Sequence, residues 1–133
     1  MKIAFITPFP PYRGGISHYS EALYKELSED NEVKVFNFKR LYPSFFFPGK
    51  DQYDKNHSNY LKNKAVIRII DSINPFSWNR TSNKILKFNP DKVILRFWHP
   101  FFIPCYYSII KKVNKKIPIY VNFDNIIPHE EYF

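Results

Sequence analysis

Lys2-Ile3-Ala4-Phe5-Ile6-Thr7, a proline-rich link from Pro8 to Tyr12, Arg13-Gly14-Gly15, and then Ile16 to Leu27: this opening decides the fold. Ile3–Thr7 is a short apolar run rich in β-formers and ended by prolines, so it reads as a buried strand. Ile16–Leu27 reads as an amphipathic helix, with Ile16, Tyr19, Leu23 and Leu27 on one stripe and Glu21, Lys25 and Glu29 facing water. Between them stand two of the chain's three glycines. A strand that turns through Gly14-Gly15 into a helix N-terminus presents amide N–H groups with no Cβ in front of them. Such a turn can hold a phosphate or another anion. A tight turn without a ligand uses the same residues, and both readings stand.

Working outward, Asn31 closes the helix and Val33–Phe38 forms a second strand. The handedness of strand–helix–strand crossovers makes it parallel to the first. Residues 41–64 break the pattern and read as a long mobile loop whose tip is Phe45-Phe46-Phe47. Val66–Ile73 fits either a strand or a helix. A helix beginning at Ser77 or Thr81 runs to Lys87, and Asn89-Pro90-Asp91 turns it into the strand Lys92–Phe97. Phe102, Ile103, Tyr106, Ile109, Ile110 and Val113 mark another helix, whose basic end at Lys111, Lys112, Lys115 and Lys116 suits the helix dipole. Ile117–Phe123 is the last strand. This alternation predicts an α/β fold, an open and mostly parallel sheet with helices on both faces. Such a domain normally continues with another helix after its last strand, so the end at Phe133 predicts part of a longer protein.

At 133 residues the chain suits one domain with a core of its own. Hydrophobic residues make up 44%, which argues against disorder, and the net charge of +8 favours anionic partners. Those partners are a nucleotide or phosphorylated substrate, an anionic membrane surface, or nucleic acid. A single cysteine, Cys105, excludes an intramolecular disulfide and a cysteine-based zinc site, and fits a reducing compartment. The apolar start is interrupted by Pro8, Pro10 and Pro11 and does not read as a secretory signal. No run approaches the length of a membrane-spanning helix, so the sequons at Asn56 and Asn79 are expected to go unused.

In open parallel sheets, ligands bind beyond the carboxyl ends of the strands. That rule selects Thr7–His18, Trp98-His99-Pro100 and Asp124-Asn125. Arg13 reads as assisting an anion at the glycine turn or as a solvated residue, whereas His18 reads as a surface residue. His99, between Trp98 and Pro100, reads as a packed histidine or as a hydrogen-bond partner for a sugar hydroxyl or phosphate. Asp124 reads as the cap of an Asx turn with Asn125, or as a carboxylate that orients a hydroxyl or takes its proton. His129-Glu130-Glu131 lacks the second histidine of a zinc-protease motif, so no metal is expected. No serine or cysteine triad spacing is present. Phe45–Phe47, near Lys39, Arg40 and Lys50, reads as a membrane-inserting tip or as a partly buried loop.

Four segments carry a family resemblance. Residues 2–27 (KIAFITPFPPYRGGISHYSEALYKEL) resemble the start of the acceptor-side domain of family 4 glycosyltransferases of the GT-B fold. Residues 71–78 (DSINPFSW), 89–104 (NPDKVILRFWHPFFIP) and 122–131 (NFDNIIPHEE) are similar to a bacterial branch of that family. The resemblance implies that residues 1–133 form one incomplete Rossmann-like GT-B N-terminal domain. It implies transfer of a sugar from a nucleotide-sugar with retention of configuration and without a metal or other cofactor. Its acceptors would be polysaccharides or lipid-linked glycans, in the cytoplasm or at the inner membrane face.

Under this reading Gly14 and Gly15, with Arg13, approach the donor diphosphate, and Trp98, His99 and Asn125 contact substrate. Members often carry a histidine where this chain has Asp124, so Asp124 takes the candidate catalytic place but no imidazole role carries over. The family's donor-binding domain, with its Glu-x7-Glu motif, is not in this sequence, and the chain alone is therefore expected to lack turnover. Two other classes remain. A dinucleotide-dependent dehydrogenase is opposed by Arg13-Gly14-Gly15-Ile16-Ser17 in place of G-x-G-x-x-G, and by the absence of an acid after Phe38. A non-enzymatic basic nucleotide- or nucleic-acid-binding module suits the charge, but the cations are scattered and no nucleic-acid partner is expected.

Overall fold

The computed structural model describes residues 1–9, 15–40 and 64–123. Its elements are β1 (Lys2–Ile6), α1 (Gly15–Leu27), β2 (Glu32–Arg40), β3 (Val66–Asp71), α2 (Pro75–Phe88), β4 (Lys92–Phe97), a 3-10 turn (Pro100–Phe102), α3 (Ile103–Val113) and β5 (Ile119–Phe123). The five strands form one open sheet in the order β3-β2-β1-β4-β5, and every pairing is parallel. This is the Rossmann-like α/β architecture that the alternation predicts. The aromatic segment falls, apart from Lys64, outside the described residues.

Alternation within the strands builds two cores. Ala4 and Ile6 of β1, Phe36 and Phe38 of β2, and Val93 and Leu95 of β4 point to one face, where α2 and α3 add Ile85, Phe88, Tyr106 and Ile109. Ile3, Phe5, Val33 and Val35 point to the other face, under Leu23, Tyr24 and Leu27 of α1. A central strand covered on both sides must be apolar at every position, and β1 is buried from Ile3 to Ile6. Each fully buried Ile or Phe contributes about 1.5–3 kcal/mol relative to exposure.

Several boundaries differ from the sequence reading, each for a local reason. Val66–Asp71 is a strand, at the edge beside β2. Helix α2 starts at Pro75 and not at Ser77 or Thr81: Asn74 Oδ1 accepts from the Phe76 N–H at 3.0 Å, and Pro75 fits the first turn because it has no N–H to satisfy. Ser77 and Thr81 are buried instead, Thr81 donating to the Ser77 carbonyl at 2.7 Å. The helix ends where Asn89 adopts a left-handed conformation (φ 53°), its N–H shared between the carbonyls of Ile85 and Leu86. Phe102 lies in the 3-10 turn and α3 starts after it. Strand β5 starts at Ile119, and β2 runs on to Arg40.

The stripe assigned to α1 is also rotated. Tyr19 is 46% exposed, whereas Ser17 and Ser20 are buried. Two small hydroxylated residues let the start of the helix lie close to β1, and the Ser20 and Thr7 hydroxyls share a hydrogen bond of 2.5 Å. Glu21 is half-buried and pairs with Lys25 at 3.6 Å, so it does not simply face water.

Candidate functional site

From β1 the chain continues one way to β2 and β3, then crosses back to β4 and β5 on the other side. The carboxyl ends of β1 and β4 therefore flank the switch point where parallel sheets open a crevice. Ile6 lies opposite Leu95 in the register, so Thr7 and the Phe97–His99 segment leave the sheet as neighbours.

The β1 exit is held firmly. The Thr7 hydroxyl, besides meeting Ser20, donates to the Pro8 carbonyl at 2.9 Å. Phe9 is fully buried, and the Asn37 carboxamide clamps its backbone: Phe9 N–H donates to Oδ1 at 2.9 Å, and Asn37 Nδ2 donates to the Phe9 carbonyl at 3.2 Å. The Phe9 ring meets Tyr24 of α1 edge-on at 5.4 Å. Gly15 is the first residue of α1, whose first turn holds no acidic residue to compete with an anion. Ser17, in that turn, is 1% exposed and its hydroxyl has no hydrogen-bond partner among the described residues. Arg13 and Gly14 lie outside the described residues.

At the β4 exit the two sequence candidates separate. Trp98 is half-buried and belongs to the core wall, with Phe102 at 4.3 Å and Phe38 and Tyr106 at 6.3 Å. His99 is exposed and caps the 3-10 turn, its Nδ1 accepting from the Phe101 N–H at 3.0 Å. Accepting at Nδ1 leaves the neutral ring's hydrogen on Nε2, which makes that nitrogen a donor. Phe123, the last residue of β5, pairs with Phe97 of β4, and Asp124 and Asn125 follow it outside the described residues. His18 is exposed, as its reading as a surface residue expects.

Three polar residues inside apolar strands escaped the sequence reading. Asn37 is one. Arg96 is 4% exposed, with its guanidinium 4.1 Å from the centre of the Tyr19 ring and Nη1 donating to Asn122 Oδ1. It puts a fixed positive charge on the α1 side of the switch point. Asp71, 5% exposed at the end of β3, meets Arg40 Nε at 3.3 Å and accepts from the Ile73 N–H at 3.1 Å. The only sequence signal for any of them was a lone polar residue in an apolar run.

Cys105 is buried in the first turn of α3. Burial first, and then the charge of Asp71, pushes its thiol far above its ordinary value of 9.0. The folded state therefore keeps a proton that the unfolded chain loses, and this group makes stability fall as pH rises above about 9. The native protein is expected to resist alkylation at about pH 8 and to label fully in denaturant. Rapid labelling of the native chain would contradict this burial.

No group of three or more His, Cys, Asp or Glu among the described residues could hold a metal ion. No described helix is long and apolar enough to cross a membrane. No protein-family model and no curated protein matches the chain.

Proposed function

We propose that this chain is the acceptor-side part of a retaining GT-B-type glycosyltransferase that moves a sugar from a nucleotide-sugar to a polysaccharide or lipid-linked glycan. The supporting observation is that β1, which leads to α1, and β4 are parallel neighbours where the strand order reverses, so their exits flank one switch point. A helix start free of acidic residues, with the buried Arg96 on the same side of the sheet, favours a diphosphate there.

In the reaction the anomeric C–O bond to the diphosphate breaks and a C–O bond to the acceptor oxygen forms on the same face. The acceptor hydroxyl loses its proton. Gly14, Gly15 and Arg13 bind the leaving diphosphate, and His99 donates from Nε2 to a substrate oxygen. Trp98 and Asn125 complete the substrate side, and Asp124 orients or deprotonates a hydroxyl. No metal enters this scheme. The enzyme would work in the cytoplasm, peripherally at the inner membrane face. A second domain would supply the opposite wall of the cleft, so this chain alone is expected to bind without turnover.

The test is residue-resolved NMR of the purified chain with nucleoside diphosphates, nucleotide-sugars and oligosaccharide acceptors. Shifts are expected at Gly15–Ser17 and at the Trp98 and His99 side chains, with no sugar transfer. Transfer by the chain alone would refute the half-site. Tight oligonucleotide binding that collapses with salt, without shifts at these residues, would favour the basic binding module.

A further inference from the structure

The lysines near the first strand are not at the crevice. At the opposite edge of the sheet, where strands start and helices end, a cavity of about 380 Å³ is lined by Lys2, Lys34, Lys84, Lys87, Phe88 and Glu32, among others. Its volume is within the range of small-molecule sites, about 300–1,000 Å³. Lys2 and Lys34 place their ammonium groups over the same Phe88 ring, at 5.3 and 4.9 Å from its centre. They converge because Lys2 and Lys34 share the sheet face of Ala4 and Phe36, and Phe88 ends the helix that packs on it.

None of the four lysines has an ion-pair partner among the described residues. Asp91, close by in the fold, accepts from the Lys2 backbone N–H at 2.7 Å. A bland account is that the lysines compensate the C-terminal dipole of α2. That dipole is worth about half a charge. With Glu32 added, the lining still carries an excess of roughly 2.5 positive charges. A ring attracts two ammonium groups but does not neutralise them, so a bound anion relieves the part of their repulsion that solvent does not screen. Phe88 is only 7% exposed, which leaves no face on which a nucleobase could stack. The chemistry selected is clustered phosphate and not a nucleoside.

We propose that this pocket is a second anion site, distinct from the crevice, that binds a group carrying two or more adjacent phosphates. The source is either a free polyphosphate or a phosphorylated lipid headgroup. The test is calorimetric titration of the chain with pyrophosphate and with orthophosphate, alongside sedimentation with phosphatidylcholine vesicles that contain or lack a bisphosphorylated phosphoinositide.

Pyrophosphate is expected to bind more tightly than orthophosphate, and the paired substitutions Lys34→Gln and Lys84→Gln to weaken it at least about ten-fold. Lys115→Gln with Lys116→Gln, outside the pocket, should change it less than about two-fold. Circular dichroism melting separates loss of binding from loss of fold. Lys2, Lys84 and Lys87 are exposed and Lys34 is half-buried, so Lys34→Arg, which keeps the charge, should keep the binding that Lys34→Gln loses at a comparable melting temperature. Binding to the phosphoinositide vesicles with weak pyrophosphate binding assigns the lipid source, and the reverse assigns a free polyphosphate. Equal losses from both lysine pairs, or no preference for pyrophosphate, would overturn the site.

Discussion

Phe102→Ala is expected to lower stability by about 3–5 kcal/mol, read as a fall in the denaturation midpoint with an unchanged urea m-value. Phe102 is fully buried where the 3-10 turn meets β2 and α3. Its ring lies 5.5 Å from Phe38, 4.3 Å from Trp98 and 6.1 Å from Tyr106. Phe38 is fixed by the sheet and Tyr106 by α3, so neither can collapse into the space the ring leaves. Domains of this kind have about 5–15 kcal/mol in total, so the loss is a large share of the stability. Phe102→Leu retains much of the volume and should recover more than half of it. The same ring supports the turn capped by His99, so ligand-induced shifts at His99 should weaken in the alanine variant even below its melting range. A loss under about 1 kcal/mol would mean that the aromatic cluster is not packed as described.

The second large effect is expected at Asn37. Asn37→Ala removes an acceptor of the Phe9 N–H, a donor to the Phe9 carbonyl and an acceptor of the Phe38 N–H, which donates to Oδ1 at 2.7 Å. Each buried group left unpaired costs about 1–3 kcal/mol, and water can reach some of them once the loop loosens, so about 2–4 kcal/mol is expected. The distinguishing observation is local: amide exchange at Phe9 should accelerate more than exchange at Phe5, because the clamp holds the loop and not the strand. Asn37→Asp keeps the acceptor but loses the donor to the Phe9 carbonyl and buries a charge. Its penalty should therefore grow as pH rises through the carboxyl range. Unchanged exchange at Phe9 in both variants would show that the loop is held by other contacts.

Much of the fold was legible because its signals are local. The β1–α1 opening, the Asn89-Pro90-Asp91 turn and the order of strands and helices all follow from residues within a few positions of one another. The errors have a common origin. Tyr19 reads as part of the buried stripe because its type is apolar, yet Ser17 and Ser20 take that face since close approach to β1 needs small side chains. Ser77 and Thr81 look like helix caps until Asn74-Pro75 supplies a better start. At the candidate site, His99, Trp98 and Gly15 could be selected by their place at strand and helix ends, but their different roles could not. The indole is largely part of the wall, and the imidazole has one nitrogen committed to a cap.

The sequence by itself determined the class of fold, its alternation, and the junction at which Gly15 opens the first helix, because hydrophobic period and turn chemistry act over short distances. Only the tertiary structure decided what the polar residues within the strands do. Asn37 finds its partner 28 residues away and Arg96 finds Asn122 at a separation of 26. It also decided where the positive charge gathers. Composition states how many lysines the chain has, but parallel topology brings the start of β1, the start of β2 and the end of α2 to one edge, opposite the crevice. Long-range pairing sets such positions, and no local pattern in the chain encodes it.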